Sequence, residues 1–277
     1  MSDYSKLPFP PLDFRPFGAF SHGLSVRVAM STRLGGVSMP PFDGLNVGDH
    51  VGDAAADVAA NRQRWAQSVS MRPVWMQQVH GVVVHRACAR DLDVPSPPVA
   101  DAAWTNELGV ACAIMVADCL PVLFAHQRLP LVAAAHAGWR GLVGTQGRGV
   151  LETTVSALAH AADESPEQTA EQLQVWLGPC IGPSAFEVGG EVRDAFVRAC
   201  VADEAGFTSA ARPSHFMADL AALARARLRR LGVRQCVGND SSPAWCTHTQ
   251  SQYFFSHRRD ASLLGTTGRM VAAISLG

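Results

Sequence analysis

The chain has 277 residues, 48% of them hydrophobic, and a formal net charge of −1 at pH 7. That length can bury one large core, and the near-neutral balance offers no broad attraction for nucleic acid or an anionic membrane. Seven cysteines, an odd count without a Cys-x-x-Cys pair, argue against a disulfide framework or a zinc ribbon and suit a reducing cytoplasm.

The first residues lead into a Pro- and Phe-rich stretch without the apolar run of a signal peptide, and no run approaches the ~20 apolar residues of a membrane span. Residues 1–20 are expected to form an extended arm and residues 21–277 a single catalytic domain. Leu24, Val26, Val28 and Met30 alternate as a strand does. Next come Arg33 and the pair Gly35-Gly36, where backbone can approach a ligand and a guanidinium could meet a phosphate or ribose oxygen. A surface turn with a solvated arginine is the competing reading. Asn46 follows as a candidate hydrogen-bonding residue on the substrate side. Asp53 is expected to cap a helix to about Val69, with Val58, Arg62, Trp65 and Val69 on related faces.

Residues 74–79 and 82–87 read as consecutive strands joined around His80-Gly81, and residues 90–100 as a polar surface loop. Asp101 and Thr105 flank a short apolar piece before the next strand, at 110–116. A helix is predicted over 147–162, and another starting at Pro166 with Ser165 as its cap. Residues 173–177 read as a strand feeding a Gly/Pro loop. Cys180 in that loop lacks the H-x-E and P-C-x-x-C partners of a zinc deaminase and is left out of any metal shell. Glu187 lies where a carboxylate serves acid–base work or caps a following helix. Asp219 is expected to cap a helix to about Leu231 whose arginines 225, 227, 229 and 230 form a solvated face. Strands are expected at 233–237, around Phe254 and at 269–276; Arg258 between the last two is a candidate substrate or phosphate contact. The irregular alternation predicts an α+β fold: mixed β-sheets flanked by helices, in one domain.

Two apolar runs lead to reactive side chains: Cys119 follows 110–116, and His136 follows 131–135. His80, at the end of another short apolar run, completes a candidate set. A thiolate and two imidazoles suit zinc, and three protein ligands leave a fourth tetrahedral position for water or substrate. Taken singly, each residue reads as an ordinary core or surface group. His50 reads as a turn residue rather than a further ligand. Asp118 could orient a metal-bound imidazole or Arg140, or serve as a turn carboxylate. A metal-free alternative makes Cys119 a nucleophile and His136 its base, acting on an amide or ester.

Gln78-Val79-His80-Gly81, Ala117-Asp118-Cys119-Leu120-Pro121-Val122 and Ala134-Ala135-His136-Ala137-Gly138-Trp139-Arg140-Gly141 resemble the signature blocks of the laccase-domain family. Further blocks at Thr32-Arg33-Leu34-Gly35-Gly36, Leu45-Asn46-Val47-Gly48, Gly178-Pro179-Cys180-Ile181-Gly182-Pro183, Phe186-Glu187-Val188-Gly189 and Phe254-Phe255-Ser256-His257-Arg258-Arg259 follow in family order. That family has been labelled multicopper polyphenol oxidase, purine nucleoside phosphorylase and peptidoglycan editing factor. The resemblance implies an α/β sandwich with zinc on His80, Cys119 and His136. It also implies phosphorolysis of adenosine, inosine and S-methyl-5'-thioadenosine, with adenosine deamination as a side activity and a link to peptidoglycan precursor editing. Phosphate-gathering arginines (Arg33, Arg140 or Arg258) and an acid near the purine (Glu187) are the expected helpers, in a cytoplasmic monomer or homodimer without nucleic-acid or membrane partners. Copper is the alternative metal, but ten histidines with no His-x-His pair make a three-copper cluster hard to build.

Overall fold

Residues 111–116, 120–126 and 132–137 are apolar at nearly every position, as strands covered on both faces must be, and they form the centre of the structure. A computed structural model describes residues 23–92 and 94–277, so the arm expected over 1–20 lies outside the described residues. In chain order the elements are β1 (Val26–Met30), α1 (Ala55–Val69), β2 (Pro73–Val74), β3 (Val84–Arg86), β4 (Ala102–Thr105), β5 (Ala111–Val116), β6 (Leu120–His126), β7 (Val132–Ala137), α2 (Trp139–Val143), α3 (Val150–Ala162) and α4 (Pro166–Gln172). There follow β8 (Leu173–Leu177), β9 (Glu187–Gly189), α5 (Gly190–Ala199), β10 (Phe207–Ser209), β11 (His215–Ala218), α6 (Leu220–Arg230), β12 (Gln235–Gly238), α7 (His257–Leu264) and β13 (Met270–Leu276).

The strands make a four-stranded sheet, β1-β13-β5-β2, a six-stranded sheet, β12-β8-β6-β7-β4-β3, and a small sheet, β10-β11-β9. Parallel pairs (β2 with β5, β3 with β4, β12 with β8) sit beside antiparallel ones, so the large sheets are mixed. Two-residue alternation sorts the side chains into layers. Ala111, Ala113 and Met115 of β5 join Trp65 of α1 on the outer face, whereas Cys112, Ile114 and Val116 join Leu123, Ala125, Val132 and Ala134 between the two large sheets. Leu120, Val122, Phe124, Ala133 and Ala135 turn the other way, onto Leu151 and Leu158 of α3 and Leu228 of α6. The result is a helix–sheet–sheet–helix sandwich in one domain, as the irregular alternation predicts.

Several local expectations hold. β8 spans Leu173–Leu177, Ser165 accepts from Gln168 N–H with Pro166 in the first turn, and Asp219 caps α6 through Ala222 N–H. Others are corrected. Helix α1 starts at Ala55 without a side-chain cap, because the Asp53 carboxylate is taken by Ser38 Oγ, Asn46 Nδ2 and Ala54 N–H. The two strands expected around His80 do not pair with each other. β2 joins β5 and β3 joins β4, so the connection through His80 crosses from one large sheet to the other. Helix α3 begins at Val150, since Gly144 and Gly147 at positive φ first fold a turn closed by a Thr145–Arg148 bridge. No strand forms at Phe254: the Arg259 guanidinium, donating to the carbonyls of Thr247, His248 and Phe254, supports an irregular backbone over two buried phenylalanines. The solvated arginine face expected on α6 forms only in part: Arg229 and Arg230 are exposed, but Arg225 and Arg227 turn inward. Arg227 is buried against Glu152 and Asp203, and Arg225 donates to the Cys236 and Asn239 carbonyls.

Candidate metal centre

Strand periodicity carries two of the three expected donors to one place. On β7 the positions sharing a face with His136 are Val132 and Ala134, which lie between the large sheets; Cys119, just before β6, shares its face with Leu123 and Ala125. Antiparallel pairing sets Leu120 opposite Ala137 and Pro121 opposite His136, so Cys119 and His136 meet where the inter-sheet seam opens. His80 arrives from the crossing connection with φ at 60°, a left-handed conformation that a non-glycine residue adopts at a cost of about 1–3 kcal/mol. Neighbours hold it there. The Gln78 amide bonds the Met115 N–H and C=O as a strand would, and the Asp101 carboxylate takes the N–H groups of Val79, His80 and Gly81.

The donor atoms of His80, Cys119 and His136 all lie within 4.8 Å of one another, and among the described residues no other group of three His, Cys, Asp or Glu does so. Cys119 Sγ is 3.7 Å from His80 Nε2, and the two imidazoles meet edge to face with centroids 4.8 Å apart. A tetrahedral zinc with typical bond lengths would hold sulfur and nitrogen about 3.5 Å apart, close to the spacing of the Cys119–His80 pair. Gly138 closes the back of the group: a Cβ there would stand 2.9 Å from Cys119 Sγ and 2.9 Å from His80 Cδ2.

The electrostatics are those of a coupled pair. Burial pushes the Cys119 thiol up, but the His136 charge and hydrogen bonds from both imidazoles outweigh it and bring the thiol down to about 6. Burial likewise pulls His136 down, and the neighbouring thiolate and the Asp101 carboxylate more than reverse this, to about 9. Without metal, the two therefore form a thiolate–imidazolium pair near neutrality. Cys112 and Cys180, buried without such partners, are pushed up instead.

The group lies in a cleft of about 270 Å³ whose walls include the apolar Trp139, Ile181, Phe186 and Leu220 and the cationic Arg140, Arg258 and Arg269. Arg258 Nη1 is engaged by the Ala185 and Glu187 carbonyls, and Arg269 Nη1 by those of Thr267 and Gly268. The Arg140 guanidinium stacks on Trp139 at 4.5 Å and has no hydrogen-bond or ion-pair partner among the described residues.

The cleft thus unites His80, Cys119, His136, Arg140 and Arg258, and its walls leave out Arg33, Asn46 and Glu187. Arg33 binds Asp43 and the Ser251 carbonyl and lies over Phe255. Asn46 is a buried bracket between Asp53, Gly48 and the Arg269 N–H. Glu187 pairs with Met217 in the small sheet, and its carbonyl, not its carboxylate, meets Arg258. His50 lines the cleft but stands outside the three-donor group, beside Asp49. Asp118 does not orient an imidazole or Arg140: its oxygens accept from Thr247 Oγ1 and the Arg258 N–H. The carboxylate beside a site imidazole is that of Asp101, which bonds His136 Nδ1 at 2.8 Å. In the sequence its one signal is an acid directly before an apolar strand with no helix to cap.

Residues 27–277 match the family described as multi-copper polyphenol oxidoreductase laccase. A protein of Pseudomonas aeruginosa named purine nucleoside phosphorylase is 47% identical over 251 residues, which span 91% of this chain and 93% of that protein. The purine nucleoside phosphorylase YfiH of Escherichia coli is 46% identical over 253 residues, spanning 91% and 94%. A crystal structure of a Neisseria meningitidis protein superposes with a TM-score of 0.78 at 41% identity, over 91% of this chain and 94% of that one. The chain belongs to the multi-copper polyphenol oxidoreductase laccase family.

Proposed function

We propose that the protein is a zinc-dependent purine nucleoside phosphorylase acting on adenosine, inosine and S-methyl-5'-thioadenosine, with adenosine deamination as a side activity, in the cytoplasm. The observation that carries this reading is the convergence of His80, Cys119 and His136 in a cleft lined by both arginines and aromatic rings. The names of relatives sharing nearly half their residues with this chain point to the same reaction. No described helix is long and apolar enough to cross a membrane.

In phosphorolysis a phosphate oxygen bonds to the ribose C1′ as the glycosidic electron pair leaves with the purine, which takes up a proton. A zinc ion held by His80, Cys119 and His136 would supply a Lewis acid with one coordination position open. Trp139 and Phe186 offer flat apolar surfaces for the base. Arg140 offers an uncommitted guanidinium to phosphate, while Arg258 and Arg269, fixed by backbone carbonyls, add positive potential. Arg140→Ala is expected to raise the KM for phosphate about 10- to 100-fold, the value of one or two hydrogen bonds to a charged group, with the melting temperature unchanged. Steady-state kinetics at varied phosphate check it.

The decisive assay incubates the zinc-loaded protein with adenosine and phosphate. Release of adenine and ribose 1-phosphate supports the reading; neither base release nor inosine at any pH tried refutes it. The thiolate–imidazolium pair favours a second reading, a cysteine hydrolase using Cys119 and His136. Iodoacetamide separates the two. In the metal-free protein, Cys119 alkylation should stay fast down to about pH 7 and fall off below the thiol's value of about 6. Zinc should protect the sulfur if it is a ligand and leave it reactive if it is a free nucleophile. A polyphenol oxidase would need several copper ions on closely spaced histidines, and metal analysis finding three or more coppers per chain would favour it over zinc.

A further inference from the structure

Asp101 stands at the entrance to β4 with no exposed surface, and its two oxygens serve four donors. Oδ1 accepts from the His80 N–H at 2.8 Å and from His136 Nδ1 at 2.8 Å; Oδ2 accepts from the Gly81 N–H at 2.6 Å and the Val79 N–H at 3.2 Å. His136 is its one ion-pair partner among the described residues, so backbone dipoles supply the rest of its stabilisation. The Asp101 carbonyl adds a fifth link by accepting the His136 N–H at 2.7 Å.

From this geometry we propose that Asp101 is the positioning residue of the metal centre, setting both imidazoles at once. As an acceptor at His136 Nδ1 it keeps the proton on that nitrogen and presents Nε2 toward Cys119. As an acceptor for three consecutive N–H groups it holds the turn in which His80, at φ 60°, aims Nε2 at the same point. One carboxylate thus couples ligands that lie on different elements. The inference rests on the metal-centre reading given above.

An amide at this position cannot do both jobs. In Asp101→Asn, an NH2 in the place of Oδ1 faces the His80 N–H and forces His136 to carry its proton on Nε2, which removes the lone pair a metal needs. An NH2 in the place of Oδ2 faces the N–H groups of Val79 and Gly81 and pushes the His80 turn away. Either orientation disables one imidazole while preserving the side chain's shape.

The test uses the full-length wild type and Asp101→Asn, stripped of metal and titrated with zinc against a chromophoric chelator, then with cobalt(II), whose thiolate charge-transfer band reports bonding to Cys119. The expected result is a zinc dissociation constant raised about 10- to 100-fold and an altered cobalt spectrum, with unchanged far-UV circular dichroism. A constant within about threefold of wild type, with the same cobalt spectrum, overturns the proposal. Should the variant not fold, long-range ¹H–¹⁵N spectra of the zinc-loaded wild type decide: a His136 proton on Nδ1 supports the proposal, and one on Nε2 overturns it. A wild type that takes up no zinc overturns the metal-centre reading and this inference with it, whereas zinc uptake unaffected by the substitution overturns this inference alone.

Discussion

Cys119→Ala is expected to remove zinc and phosphorolysis together while the fold survives. The sulfur is the anionic donor of the three, and its loss leaves two neutral imidazoles, a set with far weaker hold on the ion. The fall in activity should exceed the roughly 10- to 100-fold loss typical of changing an outer partner of a metal site. Cys119 precedes β6 rather than lying inside it and is not fully buried, so little packing is lost. Metal content after dialysis and base release from adenosine with phosphate are the measurements. A zinc-free variant with wild-type turnover would separate the metal from the reaction and leave the proposed mechanism without support.

Gly138→Ala is expected to do comparable damage without touching a donor. Gly138 has φ −69° and ψ 161°, a conformation alanine adopts without strain, so backbone preference does not resist the change. What resists is space. The added Cβ would stand 2.9 Å from both Cys119 Sγ and His80 Cδ2, closer than nonbonded carbon approaches sulfur, and either the donors or the turn before α2 must move. Displacing donors from a tetrahedral arrangement should weaken zinc binding by at least the outer-partner scale of about 10- to 100-fold. Calorimetric titration with zinc measures this, and circular dichroism checks that the helices persist. Wild-type affinity would show that the wall yields and that the close approach has no bearing on the metal.

The parts of the fold legible in the sequence are those whose causes are local. The apolar runs that became β5, β6 and β7 have the length and composition that suit buried strands, and the caps at Ser165 and Asp219 act within three residues of themselves. Cys119, His136 and His80 are visible as reactive side chains at the ends of apolar runs, and the resemblance singles them out as a metal set. What stayed hidden depends on distant partners. Arg227 reads as solvent-facing until Glu152, 75 positions away, and Asp203, 24 away, close around it. Asp101 is similar: three of its partners are backbone N–H groups, which leave no mark on residue type, and the fourth is an imidazole 35 positions on. Asp118 misled for the converse reason. It adjoins Cys119 in sequence, but at φ 84° its carboxylate turns to Thr247 and the Arg258 N–H. Arg33, Asn46 and Glu187 fall in blocks that match the family, yet each is engaged in bracing loops or sheet outside the cleft walls.

X-ray absorption at the zinc edge of the purified protein tests the metal assignment most directly. The expected spectrum has one zinc per chain with a single sulfur at about 2.3 Å, two imidazole nitrogens near about 2.0 Å and a light fourth atom. A first shell without sulfur, or a chain that carries no stoichiometric metal after zinc loading, would contradict it.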